Sequence, residues 1–302
     1  MQCRWLFERR QESNSAILPG MAAKRRIAIV GAGNLGSALA LALYRSGYLV
    51  DAVVMRSDGA SLRKARSLAK EVGGIAARPA QINANVVWLC VPDGEIAKVA
   101  RVLARNRDWE GEVALHSSGA LTSDELEALR RRGASVASVH PLMTFVRGSH
   151  PALVDVPFAV EGDAHAVQVA RRIVNDLGGR AYSIRKQDKV AYHAWGTFAS
   201  PLLTALLATT ERVAVAAGMK ARIARGRMMP IVSQTVVNYA TLGAPASFSG
   251  PFARGDVKTI RQHLQALRRV PATYEVYVAL AKAALQFLPT KNRKAMAQVL
   301  KD

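Results

Sequence analysis

A chain of 302 residues, half of them apolar, is long enough for two domains and too apolar for a disordered protein. Its 42 Lys and Arg against 22 Asp and Glu give a formal net charge of +20, which admits nucleic acid, an anionic surface or an anionic substrate as partner. The basic residues are mostly scattered, with short clusters at 24–26, 130–132 and 268–269 and no basic stretch interleaved with aromatics, so a solvated basic surface is expected and nucleic acid is not.

Residues 1–20 are broken by Arg4, Glu8, Arg9, Arg10 and Glu12 and do not form a signal peptide. A flexible extension over 1–23, or an upstream start ahead of Met21, is the expectation. Residues 24–57 then follow the order of a dinucleotide-binding βαβ unit: an apolar strand over 27–30, the turn Gly31-x-Gly33-x-x-Gly36, an Ala- and Leu-rich helix, and a second apolar strand. Gly31 permits the tight turn, Gly33 lets the backbone approach a pyrophosphate, and Gly36 lets helix and strand pack closely. With Asn34 and Leu35 they form the predicted phosphate cradle, because a helix N-terminus offers free N–H groups and partial positive charge. The bland alternative is a glycine turn without a ligand. The second strand ends on Arg56-Ser57, where NAD-specific chains place an acid. Arg56 can pair with a 2′-phosphate and Ser57 can hydrogen-bond to it. Such a charge-assisted contact is worth about 1.5–3 kcal/mol, so NADP(H) is the predicted cofactor. Asp58 stands one or two positions too late for the NAD role and reads as an N-cap.

A helical stretch over 61–72 leads through Gly73-Gly74 to a continuous apolar strand over 85–91 that contains Cys90. Pro92-Asp93 ends it and a helix starts near Gly94. A strand over 112–116 ends in Ser117-Ser118-Gly119, and Thr122 with Glu125 forms a capping box for the next helix. A strand over 134–139 ends at His140-Pro141, and strands at 158–160 and 182–184 flank a helix over 164–177. Alternation of this kind predicts a doubly wound, mostly parallel sheet.

Ligands of such sheets bind beyond the carboxyl ends of the strands. Val91, Pro92 and Asp93 fit the turn beneath a nicotinamide ribose. Ser117 is a candidate cofactor contact and Ser118 a candidate contact for a substrate carboxylate; either can equally cap its turn. His140 is a candidate acid or substrate contact, or a turn histidine before Pro141. Two cysteines, Cys3 and Cys90, suggest neither a disulfide framework nor a metal site, and a reducing cytoplasm fits.

From Gln187 onward no strand is expected. Helices are predicted at 188–217, 221–240, 255–268, 271–287 and 292–300, and Pro201 should kink or split the first. The chain therefore divides into 1–23, a nucleotide-binding domain over 24–186 and a helical domain over 187–302. The uncharged run near 194–210 holds Gly196, Ser200 and Pro201 and reads as a buried helix rather than a membrane span. This Ala- and Leu-rich helix suggests a homodimer core or burial within the monomer. Lys189 and His193 are four apart, on one helical face beside Tyr192. A reductase needs a proton donor and a nearby ammonium stabilises a developing alkoxide, so Lys189 and His193 are the candidate catalytic pair. The alternative is a surface lysine and a packed histidine. In Gly250-Pro251-Phe252-Ala253-Arg254-Gly255-Asp256, Asp256 is a natural N-cap and Arg254 can clamp a carboxylate bidentately, unless the segment is only an interhelical turn.

The pieces GAGNLG, VVWLCVPD, LHSSGAL, SVHPLMTF, the segment from Lys189 to His193 and GPFARGD together resemble a family of NADP-dependent oxidoreductases. Its members join a Rossmann-like domain to a helical C-terminal domain of unknown function, of the 6-phosphogluconate-dehydrogenase-like type. The family is similar to the β-hydroxyacid dehydrogenase, ketopantoate reductase and pyrroline-carboxylate reductase group. The resemblance implies NADPH-dependent reduction of a small 2-oxo acid, ketopantoate-like. Imine reduction of the pyrroline-carboxylate type and a non-catalytic NADP-binding or sensing protein are the alternatives. Relatives carry Asn after the Ser of the long helix, where this chain has Ser200-Pro201.

Overall fold

A computed structural model describes residues 24–55 and 59–301. The expected extension over 1–23, and Arg56, Ser57 and Asp58, lie outside the described residues.

The first unit runs β1 (Arg26–Val30), α1 (Asn34–Arg45), β2 (Leu49–Val54), α2 (Ala60–Glu71), β3 (Ile75–Ala77), β4 (Val86–Leu89), α3 (Asp93–Ala104), β5 (Val113–His116), α4 (Glu127–Arg130), β6 (Ser135–Pro141), β7 (Pro157–Gly162), α5 (Ala164–Asp176) and β8 (Arg180–Ser183). The eight strands form one sheet in the order β3-β2-β1-β4-β5-β6-β7-β8. All pairings are parallel except β6 with β7, so the predicted doubly wound, mostly parallel sheet forms. The carboxyl ends of β1, β4, β5 and β6 share one edge. Alternation along the strands feeds two cores. Ile27, Ile29 and Trp88 face one layer with Leu39 and Ile173; Ala28, Val87 and Leu89 face the other with Leu103 and Trp109. Each fully buried Leu or Ile contributes about 1.5–3 kcal/mol.

Two local expectations change. β4 ends at Leu89, so Cys90 follows the strand half-buried instead of lying within it. Thr122 caps a 3-10 turn, Ser123–Leu126, and its hydroxyl accepts from the Asp124 N–H; Glu125 takes no part, and the expected capping box is absent. The chain turns back too soon there for a longer helix, since only the four residues of α4 follow before β6.

Packing divides the chain between Trp195 and Gly196. The start of α6 (Lys189–Thr197) thus belongs to the sheet unit. A π turn, Phe198–Leu202, connects it to α7 (Leu203–Ala216). Pro201 sits inside this wider turn, which accommodates a ring that lacks an N–H and would clash with a regular helical carbonyl. The helical unit continues with α8 (Ala221–Ser247), broken at Gly243, then α9 (Pro251–Arg254), α10 (Val257–Leu267), α11 (Thr273–Phe287) and α12 (Arg293–Val299). Ile260, Leu264, Leu285, Met296 and Val299 make its core. Among the described residues no helix is long and apolar enough to cross a membrane, and no group of His, Cys, Asp or Glu could hold a metal ion.

Candidate active site

The glycine turn and the ends of β1, β2 and β4 enclose a cleft of about 640 Å³, lined by Gly31, Gly33, Met55, Val91, Pro92 and, from α2 and α3, Ser61, Lys64, Glu95 and Lys98. Gly36 touches the turn so closely that a Cβ would overlap the Gly31 carbonyl oxygen. Gly33 is different: it occupies the N-cap of α1, and a Cβ there would meet nothing within 4 Å. The space over the helix N-terminus is therefore open. No acidic residue stands in the first turn of α1 to compete for its N–H groups. This is a cradle that suits a pyrophosphate by charge and shape. Asn34 donates its side-chain amide to the Phe145 carbonyl at 3.2 Å, and Leu35 packs on the core. Ser61 and Lys64 escaped the sequence reading, because nothing marks which face of α2 turns toward the cleft.

The remaining predicted residues of this unit gather beside the Ser117-Ser118-Gly119 turn. Asp93 accepts from the Ser118 hydroxyl at 2.8 Å, and that hydroxyl accepts in turn from the Leu121 N–H at 2.9 Å. Ser117 accepts from the Trp88 indole at 2.7 Å, inside the protein. Burial pushes the neighbouring Cys90 thiol up to about 12. Both serines are buried; the Ser117 hydroxyl ties the turn to β4 and that of Ser118 ties it to the start of α3.

Lys189 is fully buried. Its ammonium donates to the Ser138 hydroxyl at 2.7 Å and to the Ser118 carbonyl at 3.1 Å. Ser138 stands in register with His116 on one side and Glu161 on the other. Glu161 accepts from the Ser123 N–H at 2.7 Å and hydroxyl at 2.9 Å. Burial lowers the Lys189 pKa to about 8, against the opposing pull of the Glu161 and Asp93 carboxylates. His116, also fully buried, faces the Thr122 carbonyl at 2.9 Å through Nε2 and accepts from the Ser118 N–H at 3.1 Å through Nδ1. Burial lowers it to about 4.

His140, two residues beyond Ser138 on the same strand face, places Nδ1 2.7 Å from the Tyr192 hydroxyl. Its ring meets Tyr192 and His193 edge-on at 5.4 and 6.0 Å. Burial, then the charges of Lys189, His193 and His116, lower His140 to about 4. Gly119 lies directly beneath both imidazoles: a Cβ there would be 2.6 Å from His193 Cδ2 and 2.9 Å from His140 Nε2. The unit thus brings together Asp93, Ser118, His140, Lys189 and His193, and adds His116, Ser138, Gly119, Tyr182 and Tyr192. Ser138 was legible in principle, since it alternates with His140 between the apolar residues Ala137 and Val139. Arg254 belongs to the helical unit, where its guanidinium pairs with Asp256 at 2.8 Å. Asp256 holds the N-cap position of α10 but spends its carboxylate on Arg254, not on the helix N–H groups.

Residues 10–141 match the model of a Rossmann-like domain. Residues 156–284 match that of a domain of unknown function, DUF2520, so the chain joins these two domains in that order. The fold is shared with a Bacteroides fragilis protein classed as an NADP oxidoreductase (TM-score 0.72, 21% identity, covering 86% of this chain and 98% of that one). It is shared with a reductive aminase of Aspergillus terreus in complex with NADPH and ethyl-5-oxohexanoate (0.65, 16%, 91% and 99%). It is also shared with a pyrroline-5-carboxylate reductase of Coxiella burnetii (0.55, 16%, 92% and 97%). No curated protein matches the sequence.

Proposed function

We propose that the chain is an NADPH-dependent reductase of a small, carboxylate-bearing carbonyl substrate of the 2-oxo acid type. The observation that carries this reading is the open cradle at Gly33, continuous with the cleft and separated by one bond, Asp93 to Ser118, from a cluster of buried titratable groups. Perturbed groups gathered at the carboxyl ends of parallel strands are what an active site requires. Gly31, Gly33, Asn34, Leu35 and Gly36 hold the pyrophosphate, with Val91, Pro92, Asp93 and Ser117 along the nicotinamide half. Ser61 and Lys64 join Arg56 and Ser57 at the 2′-phosphate. Bound there, NADPH supplies a hydride.

Lys189 keeps a positive charge beside the site near neutral pH and fixes Ser118 and Ser138, while His193 and His140 pack against Gly119. Ser118 is the proposed carboxylate contact, and its hydroxyl must leave Asp93 to serve. Imine reduction is the second reading, favoured by the reductive aminase and pyrroline-5-carboxylate reductase that share the fold. The reducing cytoplasm and a homodimer complete the proposal.

Titration of the protein with NADPH and NADH, followed by nicotinamide fluorescence, tests the cofactor. NADPH is expected to bind tighter, and Lys64→Ala to weaken it about tenfold or more by loss of a charge-assisted contact. Tighter NADH binding would reject the assignment. NADPH oxidation screened over 2-oxo acids and cyclic imines then separates the two substrate readings.

A further inference from the structure

His140, Ala159 and Tyr182 stand in register on β6, β7 and β8, so their side chains share one sheet face. The middle residue is only an alanine. Across it, Tyr192 of α6 reaches both outer side chains: its hydroxyl lies 2.7 Å from His140 Nδ1, and its ring meets the Tyr182 ring edge-on with centroids 6.4 Å apart; the Tyr182 hydroxyl helps to hold the Tyr192 proton in place. Tyr182 is half-exposed, Tyr192 buried and His140 half-buried. A line of three exchangeable protons thus runs from the surface to the imidazole, whose other nitrogen, Nε2, looks over Gly119.

We propose that Tyr182, Tyr192 and His140 form a proton wire that delivers a proton from solvent to the substrate at His140 Nε2. The proposal rests on the reductase reading and names the donor which that reading leaves open. With the hydride on the substrate carbon and the double bond opened, the substrate oxygen or nitrogen takes the proton of Nε2. Nδ1 takes the hydroxyl proton of Tyr192, Tyr192 takes that of Tyr182, and Tyr182 recovers one from water. One hydride and one proton enter the substrate, and no imidazolium forms.

The surroundings favour a relay over a charged acid. His140 faces Lys189, Tyr192 and His193 from α6, and His116 from β5. No carboxylate is among those groups, and with its pKa near 4 the ring is neutral at physiological pH. A neutral imidazole can give up Nε2–H only if Nδ1 is refilled at the same time, and Tyr192 is the group placed to do so. The Lys189 ammonium is enclosed, with Ser118 and Ser138 as its partners, and acts as a positioning residue.

Nitrogen-15 NMR of histidine-labelled protein, with the His140 signal assigned through His140→Gln, tests the wire without any substrate. The wild type is expected to hold His140 as the neutral Nε2–H tautomer, and Tyr192→Phe to mix the tautomers. Tyr192→Phe should also lower kcat about a hundredfold or more, the worth of a general acid, with the NADPH dissociation constant unchanged. A wild-type His140 that carries its proton on Nδ1 overturns the wire, even if the variant fails to fold. So does a Tyr192→Phe enzyme at full turnover beside a Lys189→Met enzyme that binds NADPH and is dead. Failure of the wild type to bind NADPH instead overturns the reductase reading and the step with it.

Discussion

Gly119 shows how narrow the tolerance of this site is. Both imidazoles rest against its Cα, at distances where even a methyl group cannot fit. Gly119→Ala is expected to push His140 and His193 aside and cut turnover at least tenfold, since displacement of a donor by about 1 Å costs that much or more. NADPH affinity should stay as it was, because the cradle lies elsewhere; steady-state kinetics beside a fluorescence titration checks both. His116 has a stability signature. Its pKa is near 4 folded and 6.5 in the unfolded chain, so the unfolded state binds the extra proton first. Stability is full above about 6.5 and falls as the pH drops toward 4, by about 3 kcal/mol for this group. Urea unfolding across that window should show the loss, with a shallower slope in His116→Gln. Lys189 runs the same way at higher pH: its folded pKa of about 8 lies below 10.5, so stability rises with pH between those values.

The element that decides cofactor binding is α1 with its glycine turn. Two of its glycines look alike in sequence but do different work. A Cβ at Gly36 collides with the Gly31 carbonyl, whereas a Cβ at Gly33 meets only open space, at an ordinary φ of −75°. Gly36→Ala should therefore lower the melting temperature and NADPH binding together. Gly33→Ala should leave the melting temperature unchanged and weaken NADPH alone, because its methyl group fills the place of a phosphate. A thermal shift assay with and without NADPH separates the two. A Gly33→Ala variant that binds normally would argue that the turn holds no nucleotide.

At the scale of the molecule, α7 and α8 are left with much apolar surface. No side chain of α7 is buried and only Ala224 of α8 is, while Ile231, Val236, Tyr239 and Leu242 are each more than half exposed. A helix apolar on so many sides usually lies inside a larger assembly. The proposed homodimer would cover it. Light scattering after gel filtration is expected to give a dimer for the wild type and a monomer for Ile231→Glu. A monomeric wild type at micromolar concentration would reject this surface as a dimer interface.

Periodicity and turn chemistry settled much from the sequence alone: the strand order of the βαβ start, the strand end at Pro92-Asp93, and the change to helices after Gln187. These features depend on neighbours within a few residues, which the chain itself displays. The glycine cradle was legible for the same reason. The rest was decided only by the tertiary structure, because it depends on register between distant strands. Antiparallel pairing of β6 with β7 puts His140, Ala159 and Tyr182 in one row, and α6 then lays Tyr192 across them and buries Lys189 behind the Ser118 carbonyl. A lysine at helical spacing from a histidine reads in sequence as one face of a helix; only packing shows that its ammonium is enclosed, with Ser118 and Ser138 as partners.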